Sequence, residues 1–90
     1  MQKKIAVLVR ERQDEALRMS LGLILVDDAV EVYVLDRKLS TTGEAVLHLE
    51  TLKEMDVPVY TNFRENEGME YLPAGEIALK LPRYDHILAY

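Results

Sequence analysis

Residues 5–9, Ile-Ala-Val-Leu-Val, constrain the fold more than any other stretch of the chain. This apolar run follows two lysines, ends at Arg10, and is rich in β-branched residues. An unbroken run of this kind is typical of a strand that is buried on both faces. Such strands occupy the middle of parallel sheets, where helices cover both sides. We therefore expect residues 5–9 to lie innermost, with parallel strands on either side.

The rest of the chain alternates helical and strand patterns. Asp14 is a candidate N-cap for the first helix, a Thr41–Glu44 capping box would start the second, and Pro82 would end the third. Predicted strands cover residues 5–9, 29–35, 57–61 and 84–90, with a brief extended piece at 69–72. Predicted helices cover residues 14–26, 42–55 and 74–81.

The order βαβαβαβ predicts a single α/β domain over residues 1–90, with a parallel sheet between helical layers. The expected fold is three-layered and flavodoxin-like, with strand order 2-1-3-4. In that order the first and third strands are central. The second strand has valines on one face and a mixed face containing Glu31 and Tyr33, which favours a position nearer the edge of the sheet.

Composition excludes several classes of function. The chain has 11 basic and 16 acidic residues, a net charge of -5, so a nucleic-acid partner is not expected. It has no cysteine, which rules out disulfides, thiolate nucleophiles and cysteine-ligated metals. The opening apolar run is too short for a signal peptide or a membrane span, so we expect a cytoplasmic protein without a membrane partner.

The predicted helices have apolar residues outside their inward stripes. The second half of the first helix is apolar almost all round, which is typical of a helix covered on more than one side. Either a neighbouring subunit covers it, or a small protein carries an apolar helix. In the second helix the expected inward stripe is Ala45, Leu49, Leu52 and Met55, and Leu47 lies opposite.

Any ligand should bind beyond the carboxyl ends of the parallel strands, at loops 10–15, 36–40 and 62–68. The candidate binding residues there are Asp36, Thr61, Asn62 and Arg64. A solvated loop is the simpler alternative for residues 62–66. The loop after the first strand has no glycine, and so is no phosphate-binding loop. His48 and His86 are predicted to be structural, and no metal, cofactor or catalytic set is expected.

A family resemblance rests on segments spread over nearly the whole chain: residues 4–9, 14–26, 30–36, 57–60, 67–69 and 84–90. Together they resemble the DsrE/DsrF/DsrH superfamily, which includes the Tus sulfur-relay subunits. In that family an Arg-Gly-apolar turn follows the third strand, whereas Glu67 stands in place of the arginine here. The last segment resembles the family's closing Asp-x-apolar-apolar-x-aromatic strand.

The resemblance implies the fold and a tendency to form oligomers. Members of the superfamily carry persulfide sulfur on a cysteine, often just after the third strand, where this chain has Thr61-Asn62. A persulfide carrier needs a thiolate. The nearest analogue is therefore a cysteine-free subunit of the DsrH/TusB kind.

Two hypotheses of function follow. The first is a non-catalytic DsrE-like subunit that associates with itself or with a sulfur-relay partner. The second is a small-molecule binding module that uses the loops at residues 36–40 and 62–68. An enzyme is the weakest reading, because no nucleophile, base or metal set converges in the sequence.

Overall fold

The computed structural model describes residues 3–26, 29–40 and 44–90. Within them, five strands form one sheet: β1 (Lys4–Val9), β2 (Ala29–Val34), β3 (Val59–Thr61), β4 (Glu70–Tyr71) and β5 (His86–Ala89). The helices are α1 (Gln13–Leu25), α2 (Ala45–Glu54) and α3 (Ala74–Lys80), and a 3-10 turn, Leu81–Arg83, follows α3.

All strand pairs are parallel, and the strand order is β4-β3-β2-β1-β5. β1 lies between β2 and β5, so that Ile5 is in register with Val30 on one side and with His86 on the other. Every residue from 5 to 9 is buried. The prediction of an α/β fold with β1 enclosed by parallel neighbours is confirmed.

The predicted strand order 2-1-3-4 is wrong, because β3 pairs with β2 and not with β1. α1 and α2 pack side by side on one face of the sheet. Successive right-handed crossovers on the same face move in the same direction, so β1, β2 and β3 follow one another across the sheet. The chain then returns across the other face through α3 and adds β5 beside β1.

The face under α1 and α2 is packed with aliphatic side chains, and we call it the aliphatic face. Leu17 and Leu52 are fully buried there. The hydroxyl of Ser20, also buried, donates to the Ala16 carbonyl 2.9 Å away within α1. The other buried members of this core are Ile5, Val7, Val9, Ala16, Val30, Val32, Val34, Leu39, Ala45, Leu49 and Val59.

The ends of the first two helices differ in part from their predicted ends. α1 starts after Arg12, so Asp14 lies in the first turn and is not the N-cap. The predicted capping residue Thr41 and the helix end at Asp27-Asp28 lie outside the described residues. Met55, predicted to point inward, is 42% exposed. Because α2 ends at Glu54, Met55 is its C-cap and has left the helical stripe.

Asp56 follows this C-cap in the left-handed conformation, with φ at 60°. Its N–H donates to the Lys53 carbonyl, and the N–H of Val57 donates to the Leu52 carbonyl, each over 3.0 Å. This pair of hydrogen bonds is a Schellman motif, which stops α2 and turns the chain into β3.

The opposite face, which we call the tyrosine face, buries a small core under α3 and the 3-10 turn. Its buried members are Ala6, Leu8, Tyr33, Leu35, Ile77 and Tyr84. The rings of Tyr33 and Tyr60 stack with centroids 5.0 Å apart, and the ring of Tyr84 meets that of Tyr33 edge-on at 6.0 Å. Lys4 and Lys80 lie over the outer faces of Tyr84 and Tyr60.

A chain of hydrogen bonds connects the buried hydroxyls of the tyrosine face. The hydroxyl oxygens of Tyr33 and Tyr84 are 2.5 Å apart, and Tyr84 donates to the carboxylate of Glu31. Burial raises the pKa of the Tyr84 hydroxyl above its ordinary value, and the hydrogen bonds to Glu31 and Tyr33 raise it further. Burial also raises the pKa of Tyr33. Both hydroxyls therefore stay protonated at neutral pH.

Over residues 3–26, 29–40 and 44–90, no helix has both the length and the apolar character needed to cross a membrane.

Candidate functional site

The loops that follow β1, β2 and β3 meet at the carboxyl edge of the sheet, because these strands are neighbours and run in the same direction. Arg10 follows β1, Asp36 lies just beyond β2, and Asn62 follows β3. The Nε of Arg10 donates to Oδ2 of Asp36 over 3.1 Å, and the Nδ2 of Asn62 donates to Oδ1 over 2.9 Å. One carboxylate thus connects the first loop to the third.

Asp36 is held by its backbone as well as by its side chain. Its N–H donates to Oδ1 of Asn62 over 2.7 Å, so the two residues exchange a pair of hydrogen bonds. Its φ of 66° lies in the left-handed region, which an L-residue with a side chain seldom adopts.

The hydrogen bond from Asn62 lowers the pKa of the Asp36 carboxyl below its ordinary value, and the hydrogen bond from Arg10 lowers it further. Both groups stabilise the charged form. Asp36 is therefore ionised at neutral pH, and the side chains of Arg10 and Asp36 carry opposite full charges.

A pocket of about 210 Å³ opens beside these residues, between the tyrosine face and α3. We call it the α3 pocket. Its floor and walls are apolar and come from β1, the end of β2, and α3 with its following turn. The lining residues are Leu8, Leu35, Ala74, Ile77, Ala78 and Leu81, with Arg10, Asp36 and Asn62 on the rim.

Of the four residues predicted to bind a ligand, the structure brings Asp36 and Asn62 together at this rim. Thr61 is fully buried, and its hydroxyl donates to the Val34 carbonyl over 2.7 Å, so it connects β3 to β2. The guanidinium of Arg64 lies over the ring of Tyr71, 4.4 Å from its centroid, beside the edge strand β4. Neither Thr61 nor Arg64 lines the α3 pocket.

Arg10 was missing from the predicted residues, although its loop was included in the predicted region. Its position directly after the innermost strand is the signal that could have singled it out. The Nε of Arg10 is paired with Asp36. Across the described part of the chain its two terminal nitrogens, Nη1 and Nη2, have no hydrogen-bond or ion-pair partner.

Asn66 and Gln13 hold the loop after β2 in place through hydrogen bonds to its backbone. Asn66 is 6% exposed; it accepts the Leu39 N–H over 2.8 Å and donates to the Arg37 carbonyl over 3.0 Å. Gln13 donates to the Lys38 carbonyl over 3.2 Å from the start of α1. Polarity alone did not distinguish these residues from solvated loop residues, since only their burial and partners reveal this role.

A larger cleft of about 290 Å³ lies between α2 and the loops after β2 and β3. Its buried polar side chain is Asn66, whose amide is already hydrogen-bonded to three groups of the protein. The side chains of Glu65 and Glu67 at this cleft are exposed to solvent. In the α3 pocket an apolar interior meets a rim of three polar side chains that are joined by hydrogen bonds.

The topological switch point of the sheet is the crevice between β1 and β5, and backbone atoms fill this crevice. The backbone oxygen of Tyr90 accepts the N–H groups of Arg10, Glu11 and Arg12 over 3.1, 3.2 and 3.4 Å. These amides would otherwise face a ligand at the start of α1. Their engagement leaves no free amide of residues 10–12 for a ligand in this crevice.

The histidines lie away from the pocket. The Nε2 of His48 is buried without a hydrogen bond, 3.5 Å from Oε2 of Glu44 on the same side of α2. His86 is exposed on β5. Among residues 3–26, 29–40 and 44–90, no three histidine or carboxylate side chains are placed to hold a metal ion.

No family model, curated protein or solved structure matches this chain. The resemblance to the DsrE/DsrF/DsrH superfamily remains a prediction from the residue pattern.

Proposed function

We propose that this protein is a binding module that takes a small molecule into the α3 pocket. The observation that carries the proposal is the rim, where Arg10 and Asn62 are each hydrogen-bonded to Asp36 beside an apolar cavity. Binding sites for small molecules are typically concave and mostly apolar, with a few polar groups that set orientation. In parallel α/β sheets they lie beyond the carboxyl ends of the strands.

The rim favours binding over catalysis. Asp36 is the carboxylate nearest a ligand in this pocket, and its hydrogen bonds lower its pKa. A general base works best when its pKa lies near the working pH. Asp36 therefore orients its neighbours in this proposal and does not take a proton from a substrate.

The test is a thermal-shift screen of compounds with about six to twelve non-hydrogen atoms, followed by a pair of variants on α3. Ala78→Phe places a ring in the α3 pocket, whereas Leu79→Phe changes a neighbouring side chain that is 75% exposed. Compounds that bind the native state raise its melting temperature by mass action.

We expect hits whose stabilisation is lost in Ala78→Phe and kept in Leu79→Phe. Hits that stabilise both variants equally would bind elsewhere and contradict the proposal. A screen without hits would contradict it as well.

We propose association as a second function, through the outer surface of α1 and α2. Its support is the set of exposed apolar side chains on those helices and their ends: Met19, Leu25, Val26, Leu47 and Met55. Leu25 is 81% exposed, and Leu47 is 63% exposed. Exposed apolar side chains that form one contiguous patch mark an interaction surface. The partner would be a second copy or, if the resemblance holds, a DsrE-like subunit.

Sedimentation velocity tests this second proposal. We expect an oligomer that dissociates in Leu25→Lys and persists in Leu79→Lys, which adds the same charge to an exposed leucine of α3. A strict monomer that also captures no DsrE-like subunit in a pull-down would overturn it.

A further inference from the structure

The orientation of Arg10 at the rim of the α3 pocket points to a class of ligand. Asp36 accepts from the Nε of Arg10, and Asn62 fixes Asp36 from its other side. With Nε engaged, the Nη1 and Nη2 groups remain as a fork of N–H donors without a partner among the described residues. A planar fork of this kind matches the two oxygens of a carboxylate.

The volume of the α3 pocket limits the size of the ligand group that can enter it. Its volume is about 210 Å³, and its interior is formed by leucine, isoleucine and alanine side chains. Apolar cavities of about 150 Å³ hold benzene, so this one has room for an apolar group of about seven to ten non-hydrogen atoms. Leu8, Leu35 and Ile77 are buried around it and supply its hydrophobic contacts.

Resting on the proposed function, we infer that the α3 pocket binds a small monocarboxylate, with its apolar body under α3 and its carboxylate on the Nη fork of Arg10. The experiment below separates the failure of this inference from the failure of the proposed pocket.

The charges at the rim favour a single negative charge. Arg10 and Asp36 together are neutral, so the second charge of a phosphate dianion finds no further cation in the pocket lining to offset the larger cost of its desolvation. A cationic ligand would face the guanidinium, and the carboxylate that could attract it is already hydrogen-bonded on both oxygens. A monocarboxylate pairs with the unengaged side of Arg10 while Asp36 remains on the Nε side.

The test uses phenylacetate and phenylacetamide, which share a shape and differ in charge. Each is titrated into the ¹⁵N-labelled protein at constant pH and ionic strength, and amide shifts are followed. We expect shifts at Leu35, Ile77 and Ala78, with phenylacetate bound about two- to five-fold more tightly, the range for an ion pair at a side chain that is 42% exposed. Inorganic phosphate should cause no shifts there.

Variants of Arg10 identify the group that recognises the charge. In Arg10→Gln the preference for phenylacetate should disappear while phenylacetamide binds as before. Arg10→Lys keeps the charge without the fork, so a reduced preference is expected. Arg64→Gln is the matched control, because Arg64 lies over the ring of Tyr71 and does not line the pocket.

The outcomes are distinct. Equal affinity for the two probes at the α3 pocket would overturn the carboxylate and leave the proposed binding function standing. A preference that survives in a folded Arg10→Gln protein would also overturn it. Binding of neither probe, together with a screen without hits, would overturn both proposals.

Discussion

The two faces of the sheet bury side chains of different kinds under different amounts of helix. On the aliphatic face, α1 and α2 cover valine, leucine and isoleucine side chains, and the core there is continuous. On the tyrosine face, the seven-residue α3 and a 3-10 turn cover a smaller core, in which Tyr33 and Tyr84 depend on hydrogen bonds. The α3 pocket opens on this second face.

The two faces therefore have different roles in our interpretation: the aliphatic face provides stability, and the tyrosine face provides the binding site. Aliphatic packing has no preferred direction, tolerates no cavity without loss, and provides most of the stabilisation of a small domain. Hydrogen-bonded tyrosines contribute less to stability, but they fix positions. A face covered by one short helix also has space for a ligand.

The largest effect is expected on the aliphatic face, from Leu17→Ala. Leu17 is fully buried between α1 and the sheet, so removing its side chain leaves a cavity that neighbouring side chains fill only in part. We expect a loss of about 3 to 5 kcal/mol in the free energy of unfolding, measured by urea denaturation. Leu25→Ala on the same helix should change it by less than about 0.5 kcal/mol. A loss below about 1 kcal/mol for Leu17→Ala would contradict the view that the aliphatic face provides most of the stability.

A smaller effect is expected on the tyrosine face, from Tyr84→Phe. The change keeps the ring but leaves the hydroxyl of Tyr33 and the carboxylate of Glu31 without their shared partner. We expect a loss of about 1 to 3 kcal/mol in the same assay. Tyr71→Phe is the control, because no residue in the described ranges hydrogen-bonds to the Tyr71 hydroxyl. Equal losses in the two variants would show that the hydrogen-bonded chain stabilises nothing.

Alkaline pH should weaken the tyrosine face selectively. The pKa values of Tyr33 and Tyr84 in the folded protein are raised above the ordinary 10.0, so the stability they provide is complete below pH 10 and lost as the pH rises above it. Each group can lower the free energy of unfolding by at most about 1.4 kcal/mol per pH unit.

Urea denaturation between pH 9 and pH 11 measures this loss. The double variant Tyr33→Phe with Tyr84→Phe, if folded, should show a shallower decline than the natural chain. An unchanged slope would mean that the two hydroxyls titrate alike in the folded and unfolded states.

The smallest effect concerns the rim of the α3 pocket. The hydrogen bond from Asn62 is the main cause of the lowered pKa of Asp36, so Asn62→Ala should move that pKa up toward 3.8. Because the pKa is lowered in the folded state, the stability that Asp36 provides is present above pH 3.8 and lost as the pH falls. A carbon-13 NMR titration of the Asp36 carboxyl measures the shift.

Arg64→Ala is the control for this titration, because Arg64 lies over Tyr71 and away from Asp36. A pKa of Asp36 that stays the same in Asn62→Ala would remove the structural basis for a pre-formed rim.

Sequence patterns predicted most of the elements and the enclosed position of β1, but not the order of the other strands. The unbroken run at residues 5–9 indicated an enclosed strand because only a two-sided core accommodates such a run. The same reasoning misplaced β2, since Glu31 and Tyr33 were taken as signs of an edge. Tyr33 is fully buried because its hydroxyl has a partner in Tyr84, which is 51 residues away in the chain. No local pattern reveals such a partner.

The sequence also predicted only part of the candidate site. Asp36 and Asn62 were found because they follow parallel strands, and this rule requires only that the strands be located. The α3 pocket was not predictable, since it depends on how far a short helix covers the sheet. Thr61 has the right position, but its side chain points into the core and bonds to Val34.

The position of β5 beside β1 has a consequence for how the protein is made. Ile5 lies next to His86 in the sheet, so one edge of β1 has no partner until the ribosome has added more than eighty residues. Contacts between such distant parts of a chain form late and slow down folding. During synthesis, β1 would thus expose unpaired N–H and C=O groups that other chains could bind. Rapid pairing of residues 86–89 with β1 would prevent such association.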